Sequence, residues 1–295
     1  MDAAGWFLLG APWDCSGSAR GEQAAPDAFR EAGLSAMVGR DVGDAATAID
    51  STDRDGPTGV IALFETVRAA HALAEDLAVA MTDLPGRRPL VVGGDCSILL
   101  GIFPALRRHL GSAGLWFVDG HPDYLDGRSS DTGETADMEL AVLTGVGAEA
   151  LITLSGTPPM IRASDIVLIG HRTEGLDAAS AAELARLPPD LRRIEAPRVA
   201  GDAIAAGRQA AEWLAGTGNG VWLHLDLDVL DPESLGAVTY PQQGGLDWGQ
   251  LADVVAPLAR SPRLVGVSVA DFRPDLDPAG DQATRVLDFL GRSLP

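Results

Sequence analysis

Residues 221–232 read VWLHLDLDVLDP, an apolar-dominated run that passes straight into Asp226 and Asp228, with Asp231 close behind. A run without in/out alternation is the pattern of a strand buried on both faces. Similar runs recur at residues 6–9, 90–92, 115–118, 166–169 and 264–269. Between them lie segments with helical spacing. The segment 60–81 carries Ile61, Leu63, Val67, Ala70, Leu73 and Leu77 on one face, and further helices are expected at 97–110, 178–187, 203–214, 248–258 and 282–290. The last of these has Asp281 as its expected N-cap. Strands alternating with helices predict an α/β fold, a parallel sheet covered by helices on both sides. In such sheets ligands bind beyond the carboxyl ends of the strands. No repeat, low-complexity tract or linker divides the chain, so residues 1–295 are expected to form a single domain.

Composition narrows the function classes. The formal net charge is -20, which repels phosphate backbones and anionic lipid and draws in a small cation. Nucleic acid and membrane are therefore excluded as expected partners. All 22 basic residues are arginine. Without lysine there is no Schiff-base anchor and no Walker-type phosphate lysine. The two cysteines, Cys15 and Cys96, lie far apart and imply no disulfide framework, which fits a reducing cytoplasm. The N-terminal segment has no basic region and too short an apolar run for a signal peptide, and no stretch approaches the ~20 apolar residues of a membrane helix.

The acidic residues and His121 sit where the chemistry of such a fold is expected. LWFVDGHPDYLDG (115–127) places Asp119, His121 and Asp123 directly after an apolar strand, as the opening stretch does with Asp226 and Asp228. Residues two apart in extended chain face the same way, so each set can converge on one point. Carboxylates crowded beside a buried strand end repel one another unless a cation compensates. Mostly oxygen donors with one imidazole suit Mn²⁺ or a similar borderline ion. A third strand end, RRPLVVGGDCSILLG (87–101), leads through Gly93, Gly94, Asp95, Cys96 and Ser97 into an apolar helix. His71 and His109 read as surface positions, and His224 as a core partner of the neighbouring acids rather than a ligand.

These segments together resemble the ureohydrolase family, which includes arginase, agmatinase, guanidinobutyrase and formiminoglutamase. The likeness begins at GAPWDCSGSARGEQAAPDAFR, runs through GGDCS, DGHPD and HLDLDVLDPESLGAVTYPQQGGL, and ends near DFRPDLD, so it spans nearly the whole chain. It implies a three-layer α/β/α fold with a mainly parallel sheet of about eight strands. It also implies six ligands for two divalent ions, Mn²⁺ above all. Asp119 and Asp226 would bridge both ions, Asp123 and Cys96 complete the first site, and His121 and Asp228 complete the second. The implied reaction is hydrolysis of a C–N bond in a linear amidine or guanidine by a hydroxide held between the ions, with urea or a related product released. Asp123 would orient that nucleophile, and the partner would be a small cationic guanidino or amidine substrate. The resemblance further implies a homo-oligomer, a trimer or hexamer.

Several positions depart from the family pattern. Cys96 stands where histidine is usual, and a thiolate implies a first site that is weak for Mn²⁺, suited to Zn²⁺, or empty. Ala136 falls on the family's proton-shuttling histidine, with Glu134, Asp137 and Glu139 nearby as replacements. Asp271, where glutamate is usual, is the expected contact to the substrate amidine. Tyr240, His171 and Asp137 are expected to line the substrate pocket. The segment IGHRTEG (169–175) keeps Gly170 and Arg172 but lacks the paired aspartates that read an α-amino acid. An agmatine-like, guanidino-acid or N-substituted guanidine substrate fits better than arginine. The alternatives are a hydroxyguanidine hydrolase of a biosynthetic pathway and a non-catalytic homologue that binds metal poorly.

Overall fold

The computed structural model describes residues 1–295. Eight strands form one sheet: β1 (Trp6–Ala11), β2 (Arg40–Asp44), β3 (Arg88–Gly93), β4 (Gly114–Val118), β5 (Ile166–Ile169), β6 (Arg192–Ile194), β7 (Val221–Asp226) and β8 (Leu264–Ala270). Their spatial order is β2-β1-β3-β8-β7-β4-β5-β6, and every pairing is parallel. Ten helices accompany them. Five precede β5: α1 (Ala25–Glu31), α2 (Leu63–Asp83), α3 (Leu99–Leu110), α4 (Glu139–Leu143) and α5 (Glu149–Ile152). The others are α6 (Ala178–Leu184), α7 (Ala196–Gly201), α8 (Ala203–Trp213), α9 (Trp248–Ala259) and α10 (Asp281–Ser293).

The unbroken apolar runs follow from burial on both faces. Trp6 and Leu8 of β1 enter one core while Phe7 and Leu9 enter the other, and Trp116 and Val118 of β4 oppose Leu115 and Phe117 in the same way. The two cores hold 44 and 43 buried residues, so neither face of the sheet is left to solvent. Helices α1 and α7 to α10 cover one face, and α2 to α5 cover the other. This is the three-layer α/β/α arrangement.

All six strands expected from apolar runs are present. The two further strands, β2 (RDVGD) and β6 (RRI), are the sheet's edges, and their side chains are largely charged or exposed. An edge strand gains no second pairing partner and tolerates charge, so it leaves no apolar signature. The helix expected at 178–187 ends at Leu184. The one expected over 97–110 is preceded by a 3-10 turn, Cys96–Ile98. Asp281 is the first residue of α10 and not its N-cap. Gly280 holds the cap at φ 72, a left-handed conformation that glycine adopts without a Cβ clash.

Candidate metal centre

Strands β3, β8, β7 and β4 are consecutive neighbours in the sheet, and each releases acidic or thiol groups at its carboxyl end. Cys96 follows β3, Asp271 follows β8, Asp226 ends β7 and precedes Asp228, and Asp119, His121 and Asp123 follow β4. Neighbouring strands lie about 4.8 Å apart, so four adjacent ends bring their side chains within reach of a common centre.

Local backbone geometry fixes these side chains before any ion is considered. Asp119 Oδ1 accepts from its own loop, the His121 N–H at 2.7 Å, and Asp226 Oδ1 accepts the Asp228 N–H at the same distance. Asp95 caps the turn that carries Cys96, accepting the Ser97 N–H at 2.9 Å and the Cys15 N–H at 2.7 Å. Asp123 and Asp271 have φ of 45 and 61, in the left-handed region that non-glycine residues rarely occupy. Strain of that kind persists where the surroundings hold a side chain in one direction. Gly120, between Asp119 and His121, has no room for a side chain: a Cβ would lie 1.8 Å from Arg172 Nη1.

Four overlapping donor groups result, each with its atoms within 4.8 Å of one another. They are Cys96, Asp119, His224 and Asp226; Cys96, Asp119, Asp123 and Glu139; Asp119, His121 and Asp228; and Asp226, Asp228 and Asp271. Cys96 Sγ lies 3.9 Å from Asp119 Oδ2 and in contact with Asp226. His121 Nδ1 lies 2.8 Å from Asp228 Oδ2, and its Nε2 lies 3.2 Å from Gln242 Oε1. All six residues expected as ligands are thus brought together, and Glu139 and His224 join them.

The electrostatics are those of a site short of positive charge. Burial, and then neighbouring carboxylates, push Asp119, Asp123 and Asp226 well above the usual carboxylate range. Burial and then Asp228 do the same to Asp271. Burial raises Glu139 and, aided by Asp226 and Asp119, the Cys96 thiol. Asp228 is the exception. Burial would raise it too, but His121 and Arg172 beside it hold it below its ordinary value. Burial and Arg172 would lower His121, but Asp228 beside it outweighs them and raises it.

A cavity of about 450 Å³ opens onto this centre. Asp123, Glu134, Asp137, Tyr240 and Asp271 line it, as expected, together with Glu22, Glu183 and Arg20, which the sequence did not single out. Asp271 accepts the Thr239 N–H at 3.2 Å. Asp137 takes hydroxyl hydrogen bonds from Ser130 and Thr132 at one oxygen, leaves the other unpartnered, and is raised by burial to about 6. Glu134 is held on both oxygens by Arg20, at 3.1 and 2.9 Å, so it is committed to an ion pair at the mouth rather than free for proton transfer. Tyr240 is 49% exposed at the rim, with the Arg20 guanidinium 5.9 Å over its ring.

His171 departs from expectation and is not among the cavity's lining residues. It follows β5, one strand beyond β4, and is buried near Glu195 and Arg193 at the sheet's far side, where burial lowers it to about 4. Arg172 beside it turns inward instead. Its Nη2 donates to the carbonyls of Asp228 at 2.9 Å, Leu230 at 3.3 Å and Gln242 at 2.6 Å, anchoring the loop after β7. Asp231 pins the same loop by accepting the Gly244 N–H at 2.9 Å. His224 is a core residue, stacked on Phe117 at 5.3 Å, with Nδ1 2.7 Å from Ser268 Oγ.

Divalent metal fits this chemistry. Buried oxygens without enough donors, raised acids and one imidazole are what a hard or borderline cation would satisfy, and the thiol biases one end of the cluster toward a softer ion.

The sequence model of a family described as "Arginase family" matches residues 4–293. The arginase of Brevibacillus brevis is 30% identical over 282 residues, covering 92% of this chain and 91% of that one. The crystal structure of arginase from Bacillus cereus matches with a TM-score of 0.84 at 25% identity, over 97% of this chain and 96% of that one. The formimidoylglutamase of Bacillus subtilis, at 18% identity, shares the fold with a TM-score of 0.77 over 99% of this chain and 87% of that one.

Proposed function

The chain belongs to the arginase family, and from that membership we propose that it hydrolyses a C–N bond of a small cationic guanidine or amidine at a centre of two divalent ions. The observation that carries this reading is the convergence of Cys96, Asp119, His121, Asp123, Asp226 and Asp228 from the ends of β3, β4 and β7, beneath an acidic cavity. Asp119 and Asp226 belong to donor groups on both sides of the cluster, which suits them to bridge. Cys96 and Asp123 would complete the first site, and His121 and Asp228 the second. Mn²⁺ suits the oxygen-rich second site, whereas the thiol makes the first site more hospitable to Zn²⁺. When bound, such a pair of ions supplies a nucleophilic water at neutral pH and stabilises charge that builds in the transition state.

The protein's own groups do the remaining work. Asp123, held at the centre by a left-handed backbone, is placed to accept a proton from the attacking water and fix its direction. Asp271 faces the cavity with a buried carboxylate and would accept N–H groups of the planar amidinium, aligning its carbon. Asp137, raised to about 6, sits near the pH at which a side chain both takes and gives up a proton, and so suits protonation of the leaving amine in the absence of a histidine at Ala136. The Arg20–Glu134 pair and Tyr240 at the mouth would contact the substrate's tail.

The segment after β5 supports a substrate other than arginine, because Arg172 is spent on backbone carbonyls and the paired aspartates are missing. An agmatine-like, guanidino-acid or N-substituted guanidine fits this mouth. The proposal treats residues 1–295 as one catalytic domain in a homo-oligomer, a trimer or hexamer, which light scattering would report. No helix is long and apolar enough to cross a membrane. The test of function is release of urea or amide from a panel of guanidines, arginine included, by the protein loaded with Mn²⁺. Turnover of at least one compound is expected. Failure on every compound by protein that holds both ions would overturn the proposal.

A further inference from the structure

Glu139 has no part in the scheme above, yet it belongs to the centre. It opens α4, is fully buried, and neither of its oxygens has a hydrogen-bond partner of good geometry, the side chain against it being the Asp123 carboxyl. One of them lies within 4.8 Å of Cys96 Sγ and of carboxylate oxygens of Asp119 and Asp123, all four atoms being mutually within that distance. A carboxylate removed from water with no donor is costly, and placing a second acid beside it raises the cost. The neighbours here are two more carboxylates and a thiol, so only a proton shared with Asp123 or a bound cation offsets it. The missing partner is positive. Ligand atoms about 2.0–2.3 Å from one ion are separated by up to about 4.5 Å, which these four atoms approach.

We propose that Glu139 is a ligand of the first ion, brought in by α4 so that the site consists of Cys96, Asp119, Asp123, Glu139 and Asp226. The placement has a physical rationale. Cys96 stands on the turn before α3, and α4 packs against α3. A long acidic side chain at the first position of α4 therefore reaches the same point from the opposite side. One thiolate with several carboxylates selects a borderline ion such as Zn²⁺ or Co²⁺ over Mg²⁺ or Ca²⁺. The inference rests on the two-ion reading.

Its test measures metal directly. The full chain, stripped with chelator and titrated with Co²⁺, is expected to take two equivalents and to show thiolate-to-cobalt charge-transfer absorption from Cys96. Glu139→Gln keeps the side chain's shape, and its amide can hydrogen-bond Asp123, but it is a poorer ligand. This variant is expected to keep one tight equivalent, to bind the other at least about 10-fold more weakly, and to lose the absorption band. Retention of both equivalents and the band would overturn the inference and make Glu139 a proton-bearing partner of Asp123, with the two-ion reading intact. Failure of the unaltered chain to bind any ion would overturn both. Should the variant not fold, a crystal of the unaltered protein grown with Zn²⁺ decides. An ion about 2.0–2.2 Å from a Glu139 oxygen supports the assignment, and an ion at the Cys96 end that Glu139 does not touch refutes it.

Discussion

Replacing Asp137 by Asn separates the cost of burying this acid from its proposed use. Its carboxyl is carried from an ordinary 3.8 to about 6 by burial. At about 1.4 kcal/mol per tenfold change in proton affinity, that corresponds to about 3 kcal/mol. Because the folded value lies above the unfolded one, the stabilising contribution is whole below pH 4. It is lost as the pH rises to about 6, where the folded protein also ionises. Asn removes this loss. Both hydroxyl donors, Ser130 and Thr132, bond the same oxygen, so an amide carbonyl can keep them, while the amide nitrogen falls where the other oxygen has no partner. That unpaired amide costs about 1 kcal/mol. The metal-free variant should therefore be less stable than the parent by about 1 kcal/mol below pH 4 and more stable by about 2 kcal/mol above pH 7. For a chain of 295 residues, unfolding entropy converts about 2 kcal/mol into a Tm rise of roughly 3 °C. Thermal unfolding from pH 3.5 to 8 reads both ends of this crossover. If Asp137 also carries the proton to the leaving group, turnover falls by about 10²- to 10⁴-fold in the same variant. A stability difference that does not change sign with pH would refute the reasoning on burial, and unchanged turnover would refute the proton-carrying role.

Two other substitutions probe the centre from different sides. Asp226→Asn removes an oxygen donor shared by two of the groups around the centre, and affinity for both ions should fall by more than about 100-fold, the upper range for residues that merely support ligands; metal analysis after dialysis checks this. Gly120→Ala forces a Cβ against Arg172 and Asp228, which should cost about 1–3 kcal/mol and loosen the loop that Arg172 anchors. Calorimetry should show the lower Tm, and a variant as stable as the parent would mean that the loop adjusts freely.

The sequence made most of this centre legible because its ligands are local. Asp119, His121 and Asp123, and likewise Asp226 and Asp228, follow apolar runs at short spacing, and a doubly buried strand declares its own end. What no local pattern could state is which strand ends are neighbours. His171 follows a strand end as plainly as Asp119 does, but β5 lies outside β4 in the sheet, and its side chain misses the cavity. Glu139 reads only as one of three acids that could replace the shuttle histidine, not as a neighbour of Cys96. Only the packing of α4 on α3 turns it toward Cys96. Glu134 and Asp137 read as equally available proton carriers, but Arg20, more than a hundred residues earlier in the chain, holds Glu134 on both oxygens.

The central claim is that buried cations neutralise the acids gathered at the four strand ends. Anomalous scattering from a crystal grown with both Mn²⁺ and Zn²⁺ tests it most directly. Two peaks are expected, one among Cys96, Asp119, Asp123 and Asp226 and one among Asp119, His121, Asp226 and Asp228. A well-ordered centre with these side chains as placed here and no anomalous peak between them would contradict the account.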